Sequence, residues 1–230
     1  MTETLIEARG LSAGYRNMAV VREVDLHVDA GEVVALIGPN GAGKTTTLLT
    51  LAGDLAPIDG EVRLFGEPTR APMHVRCRNG LGYVTEERSV IMDMTVADNL
   101  KLAAVSQADA IELFPTLEGC MDRRAGLCSG GEQQMLSLAR ALGRQPKALL
   151  ADELSMGLAP MIVVKLLQAV RDAADERGIG VLLVEQHVRQ ALKVADRAHL
   201  MDRGRVVLSG TADEVSGQLD KIEATYLAGA

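Results

Sequence analysis

Val33 to Thr46 reads VVALIGPNGAGKTT, and this stretch decides the fold. Residues 33–38 form a continuous apolar run that stops at Gly38, the pattern of a strand buried on both faces in a parallel sheet. A helix pattern follows from about Lys44 to Ala52. Between the two, Gly38-Pro39-Asn40-Gly41-Ala42-Gly43-Lys44-Thr45 matches G-x-x-x-x-G-K-[ST]. A strand before and a helix after are the context that gives this motif its meaning. Gly41 and Gly43 permit backbone conformations that a side chain would block, so the loop can wrap its N–H groups around phosphates. The helix N-terminus adds partial positive charge at the same point. Lys44 is suited to neutralise β and γ phosphates, and the Thr45 hydroxyl to ligate Mg²⁺. Residues 38–46, Thr46 included, are therefore expected to bind a nucleoside triphosphate.

A second apolar run, Ala148-Leu149-Leu150-Ala151, ends in Asp152-Glu153. Acids at the carboxyl end of a neighbouring strand lie where open α/β sheets bind ligands. Asp152 can hold Mg²⁺, directly or through water. Glu153 can orient and deprotonate an attacking water. Alone, an acid pair after a strand is most often a solvated strand end, and the phosphate loop upstream is what favours the functional reading.

Around these motifs the chain alternates. LIEARGLSAGY and VVREVDLHV interleave polar and apolar residues with the period of half-exposed strands. Residues 86–143 hold helix-like segments, TVADNLKLAAV and ADAIELF, and few strand signals, so they read as a helical insertion in an α/β core made of 1–85 and 144–230. A long helix is expected over Met161–Arg177, then a strand VLLVE, then two short strands about the turn Asp202-Arg203-Gly204. Such alternation implies one domain with a mostly parallel sheet covered on both faces.

Composition narrows the function. The 230 residues are 47% hydrophobic and only 2% aromatic, enough for a core of aliphatic side chains. A net charge of −7 with no visible basic patch speaks against nucleic acid as a partner. Cys77, Cys120 and Cys128 have neither disulfide-like nor metal-like spacing, which suits a reducing compartment. MTETLIEARG lacks the basic start and apolar run of a secretion signal, and no stretch approaches the ~18 apolar residues of a membrane span. The chain is thus expected not to cross a bilayer by itself and to suit a reducing cytoplasmic setting, and a peripheral role through a membrane partner stays open.

Cys128-Ser129-Gly130-Gly131-Glu132-Gln133-Gln134 precedes another helix pattern and is a second anion-ready helix start. With it the chain resembles, over essentially its whole length, the ATPase subunits of ABC transporters, whose signature reads LSGGQ and precedes the acidic motif at about this spacing. The resemblance implies the P-loop NTPase fold of an ABC ATPase domain, with an N-terminal antiparallel β part and an inserted helical subdomain. It implies ATP and Mg²⁺ as ligands. It also implies a head-to-tail dimer in which ATP lies between the phosphate loop of one subunit and Ser129, Gly130, Gly131 and Glu132 of the other. Integral-membrane permeases and a second ABC ATPase subunit would be its partners, with a solute-binding protein acting indirectly. Tyr15 occupies the place of the aromatic residue that stacks on adenine. Glu86 lies where many members have a Gln that touches Mg²⁺ and senses the transport partner. GEQQML, LSMGLAP, LLVEQ and GRVVLSGT look like the ATPases of branched-chain amino-acid importers and their urea and amide relatives. Leu154 departs from the Pro that usually follows the glutamate, and the helical insertion is several residues short around Ser106–Asp109.

The wider family sets its γ-phosphate sensor ten residues before the Asp of an Ala-Asp pair, here Ala195-Asp196, and the count gives Gln186 rather than His187. Adjacent residues at a strand end face opposite sides, so one of the two is expected to reach the phosphate. Gln186, through its amide donors, is the expected contact. Two rival readings stay open: a soluble ABC-class ATPase without a transporter, and a nucleotide switch that scarcely hydrolyses.

Overall fold

The computed structural model describes residues 3–16 and 18–218. Its elements in order are β1 (Thr4–Tyr15), β2 (Met18–Asp29), β3 (Val33–Ile37), α1 (Lys44–Ala52), β4 (Asp59–Leu64), β5 (Glu67–Pro68), α2 (Met73–Arg78), β6 (Leu81–Val84), α3 (Val96–Leu102), α4 (Gln107–Leu113), α5 (Gly130–Leu142), β7 (Ala148–Asp152), α6 (Pro160–Arg177), β8 (Gly180–Glu185), α7 (Val188–Ala191), β9 (Arg197–Asp202), β10 (Arg205–Thr211) and α8 (Ala212–Ser216). Two short 3-10 turns separate α4 from α5.

The strands form a four-stranded antiparallel sheet, β2-β1-β4-β5, and a six-stranded sheet, β10-β9-β3-β8-β7-β6. Within the larger sheet β6, β7, β8, β3 and β9 run parallel, and β10 closes the edge antiparallel to β9. Every residue of β3, β7 and β8 is buried, as their apolar runs require, including the carboxyls Asp152 and Glu185 at the ends of β7 and β8. β10 carries no fully buried residue, as suits an edge strand.

The two faces of the parallel sheet have different covers. Val34, Leu36, Leu150, Leu182 and Val184 share a core with α1 and the antiparallel sheet. Val33, Ala35, Ile37, Leu149, Ala151, Val181 and Leu183 share another with α5 and α6. Helix α3 contributes Val96 and Leu100 to that second core, so the helical stretch is packed into the sheet's own interior. Strand alternation then sends Asp152, two after Leu150, toward α1, and Glu185, two after Leu183, toward the helices.

The helices expected at 44–52 and 161–177 are found at Lys44–Ala52 and Pro160–Arg177. Those expected in 95–105 and 108–114 are the shorter α3 and α4, capped by Thr95 and Ser106. Residues 53–85 carry no clear periodic pattern and hold β4, β5, α2 and β6. These strands are only two to six residues long, too short for a periodic signal. Helix α2 has a clear purpose: buried Arg76 donates to the carbonyls of Thr50 (3.0 Å), Leu51 (2.7 Å) and Ala71 (2.7 Å) and so closes the C-terminal end of α1.

Candidate functional site: the phosphate-loop cleft

The loop from β3 to α1 is built on glycine where no side chain would fit. Gly38 has φ +154, and a Cβ there would stand 2.2 Å from the Met201 carbonyl oxygen. Gly43 has φ +104 and leaves α1 without a side-chain cap. The first amides of α1 therefore remain available to an anion. Lys44 is folded back into the loop, its Nζ donating to the carbonyls of Gly38 (2.9 Å) and Pro39 (3.1 Å). An ammonium has three donors, so one is left for a phosphate. Burial lowers the Lys44 pKa, while the charges of Glu153, Asp152, Glu185 and Glu86 oppose that shift.

Asp152 lies beneath the cleft, 1% exposed. Burial pushes its carboxyl up to about 6, against a hydrogen bond from the Thr45 hydroxyl that pulls it down. Its Oδ1 is buried and without a hydrogen-bond partner. A buried orphan carboxylate oxygen beside a threonine hydroxyl, with Glu86 on the cleft wall, is an all-oxygen set that fits Mg²⁺. Among the described residues no group of three His, Cys, Asp or Glu could hold a metal by itself. Magnesium at phosphates takes only one or two protein carboxylates, so the residues present still fit it.

Glu153 has a backbone φ of +48, strained for a non-glycine residue. Its N–H donates to the Val184 carbonyl at 2.9 Å. One carboxylate oxygen stands 4.0 Å from Lys44 Nζ, and the other accepts a 2.7 Å hydrogen bond from Gln186 Nε2. Leu154, the departure noted in the sequence, is buried in the helix-side core and removes no polar group from the cleft.

The cleft has a volume of about 330 Å³ and is walled by Asn40, Gly41, Gly43, Lys44, Thr45, Thr46, Glu86, Glu153 and Gln186 among the expected residues, with Val20 and Met156 in addition. Neither of the last two carried a signal, since an apolar residue in a strand end or loop reads as packing. His187 is exposed at the N-cap of α7 and does not line the cleft. Tyr15, 49% exposed, ends β1 outside the lining. A larger groove, about 460 Å³, runs beside β6 and α5 and contains none of the candidate residues.

The start of α5, the second helix start that the sequence marked, stands apart. Ser129 caps α5 by accepting from the Glu132 N–H at 3.2 Å, and Glu132 accepts from the Ser129 N–H at 2.6 Å. That bond is the main reason the Glu132 carboxyl is held below its ordinary value. Gly131 allows close approach, because a Cβ there would meet Ile162 at 3.1 Å. None of residues 129–132 lines the phosphate cleft, so the start of α5 lies apart from it.

Glu185, on the opposite face of the sheet from Asp152, has its carboxyl pushed up to about 7. Burial is the main cause, with the charges of Glu153 and Asp152 adding to it and hydrogen bonds from Ser155 opposing it. The folded chain thus holds a proton over a range where the unfolded chain has lost it. The stability tied to that proton is full below an ordinary glutamate pKa and is lost as pH rises through about 7, on the order of 3 kcal/mol in all. The melting temperature of the nucleotide-free chain should fall between about pH 5 and pH 8, and fall less in Glu185→Gln. Equal slopes in the two proteins would remove Glu185 from this account.

Comparison with known proteins bears on the same residues. A family model described as ABC transporter matches residues 21–155. The high-affinity branched-chain amino acid transport ATP-binding protein BraG of Pseudomonas aeruginosa is 39% identical over 229 residues, 95% of this chain and 97% of its own length. The lipopolysaccharide export system ATP-binding protein LptB of Acidithiobacillus ferridurans is 38% identical over 222 residues, 92% of each chain. Among solved structures, the ADP conformation of MJ1267, an ATP-binding cassette of an ABC transporter, superposes with a TM-score of 0.87 at 23% identity over 98% of this chain and 99% of that one.

Proposed function

The chain belongs to the ABC transporter ATPases, and from that premise we propose that it is the ATP-hydrolysing subunit of an importer for branched-chain amino acids or a similar small polar solute. The observation that carries the site assignment is the convergence of Lys44, Glu153 and Gln186 on one cleft above Asp152. In this reading residues 86–143 are the helical part that bears the signature, and the described residues of 1–85 and 144–230 are the nucleotide-binding core.

In this reading the amides of residues 41–46 and Lys44 hold the triphosphate and stabilise the charge that builds on it. Thr45, Asp152 and Glu86 would hold magnesium, which when bound would supply neutralisation of the phosphate charge. Glu153 orients the attacking water and takes its proton. Gln186, already hydrogen-bonded to Glu153, offers amide donors to the γ-phosphate, while His187 stays outside. Tyr15 stacks on adenine from the end of β1. The separation of Ser129–Glu132 from the cleft supports a head-to-tail dimer, in which that segment closes on the nucleotide of a second ATPase subunit, the same or a related chain.

Among the described residues no helix is long and apolar enough to cross a membrane. Transport therefore needs integral-membrane permeases, which would hold the chain on the cytoplasmic face of the membrane and meet a solute-binding protein across it. Ser155–Pro160 and Gln186 support the branched-chain branch. The nearly equal likeness to a lipopolysaccharide-export ATPase favours lipid export as the second reading.

The test is a pull-down of tagged Glu153→Gln from its own cells, with membranes solubilised in Mg²⁺ and ATP. Two multi-span permeases, with a related ATPase, are expected. Lipid-export components would move the assignment to the second reading. Recovery of soluble partners alone would withdraw the transport claim and leave a soluble ABC-class ATPase.

A further inference from the structure

Side chains continue the β7–β8 pairing past the end of the sheet. The last backbone rung is the Glu153 N–H on the Val184 carbonyl. Beyond it Gln186 Nε2 donates to Glu153. Next along the same loop, the Ser155 N–H donates to Glu185 Oε1 at 3.0 Å and the Ser155 hydroxyl to Glu185 Oε2 at 2.5 Å. Both Glu185 and Ser155 are buried, at 1% and 3% exposure. Burying a carboxyl is costly, and Val181 and Leu183 show that this face of β8 otherwise takes apolar residues. What the carboxyl adds is a two-point hold on one residue of the neighbouring loop. That residue lies between the strained Glu153 and Met156, both on the cleft wall. A left-handed non-glycine backbone costs on the order of 1–3 kcal/mol and persists only where its surroundings over-determine it.

We propose that Glu185 is a positioning residue for ATP hydrolysis: its two hydrogen bonds to Ser155 clamp the 153–156 turn and so hold Glu153 where it meets the attacking water. The proposal rests on the role given to Glu153 above. Glu185 touches no nucleotide and acts only through Ser155. The phosphate loop is anchored on the other face of the sheet, by contacts that do not include Glu185. Loosening the clamp should therefore lower turnover and spare nucleotide affinity.

Steady-state ATP hydrolysis and Mg-ATP affinity of the full chain, measured on the parent and five variants, test this. Ser155→Ala keeps the N–H bond and loses the hydroxyl one, so its kcat should drop about fivefold. Glu185→Ala should lose about 10- to 100-fold in kcat, with the ATP Kd within about twofold of the parent. The double variant should be no worse than Glu185→Ala, because both changes break one contact. Glu185→Gln can accept from the N–H and donate to the hydroxyl, and should keep most of the activity. The clamp is refuted if Ser155→Ala turns over normally, if the two changes add, or if Glu185→Gln is as poor as Glu185→Ala. Should Glu185→Ala not fold, Ser155→Ala and Glu185→Gln decide. Glu153→Gln is the control: normal hydrolysis there overturns the reading of the cleft itself, whereas its inactivity beside an unaffected Ser155→Ala overturns only the clamp.

Discussion

Glu153→Gln is expected to bind ATP at least as tightly as the parent chain and to hydrolyse it about 10²- to 10⁴-fold more slowly. The amide matches the carboxylate in shape, and its oxygen can still accept from Gln186 Nε2, so the strained turn should hold. What disappears is the group that takes a proton from water. A negative charge 4.0 Å from Lys44 disappears with it. Of the carboxyls acting on Lys44, Glu153 has the largest effect, so removing its charge lessens the repulsion felt by an incoming triphosphate. Affinity and rate should thus part company. Phosphate release together with a Mg-ATP titration measures both, and near-normal turnover would refute the base assignment.

Lys44→Ala should act on binding itself. Lys44 is the one cation among the residues lining the cleft, which also carries Glu86 and Glu153 with Asp152 beneath. Without it a polyanion would meet no cationic side chain among the lining residues, whose charged groups would all be carboxyls. Charge-assisted hydrogen bonds are worth about 1.5–3 kcal/mol each, so a loss of about 10- to 100-fold in Mg-ATP affinity is expected, with hydrolysis abolished. The same change strips the Gly38 and Pro39 carbonyls of their donor, so some thermal stability should go too. Arginine is a poor substitute, since its planar fork cannot enter the small buried volume an ammonium occupies. An ATP affinity within about twofold of the parent would contradict the placement of Lys44 on the phosphates.

Local features of the chain were enough for much of this molecule. The unbroken apolar runs at 33–37 and 148–151 mark strands buried on both faces. The glycines of the phosphate loop take positive φ at Gly38, Gly41 and Gly43, a freedom that the motif writes into the chain, and helix α1 begins at Lys44 as the motif demands. Ser129 and Glu132, three apart, form a capping box that is written within four residues. The spacing of the family that the chain resembles, rather than a local feature, points to Gln186 over His187; Gln186 lines the cleft and His187 does not.

Other features depend on parts of the chain meeting across the fold. The strands β4, β5 and β6 are too short to show a period, and exist because partners pair with them. Val20 and Met156 became cleft walls only when a strand and a loop were brought beside the phosphate loop. Asp152 and Glu185 look alike as acids at the ends of apolar strands, yet one turns toward α1 and the other toward the helices, because each continues the alternation of its own strand. That turn gives Asp152 a threonine hydroxyl and Glu185 a serine thirty residues away in the sequence. The sequence by itself determined the strand–loop–helix unit and the chemical groups it carries, since these follow from backbone conformation and periodicity. Which face each carboxyl serves, and which partner it holds, was decided only by the tertiary structure, because hydrogen bonds act over about 3 Å and strands distant in the chain come that close only once the sheet is assembled.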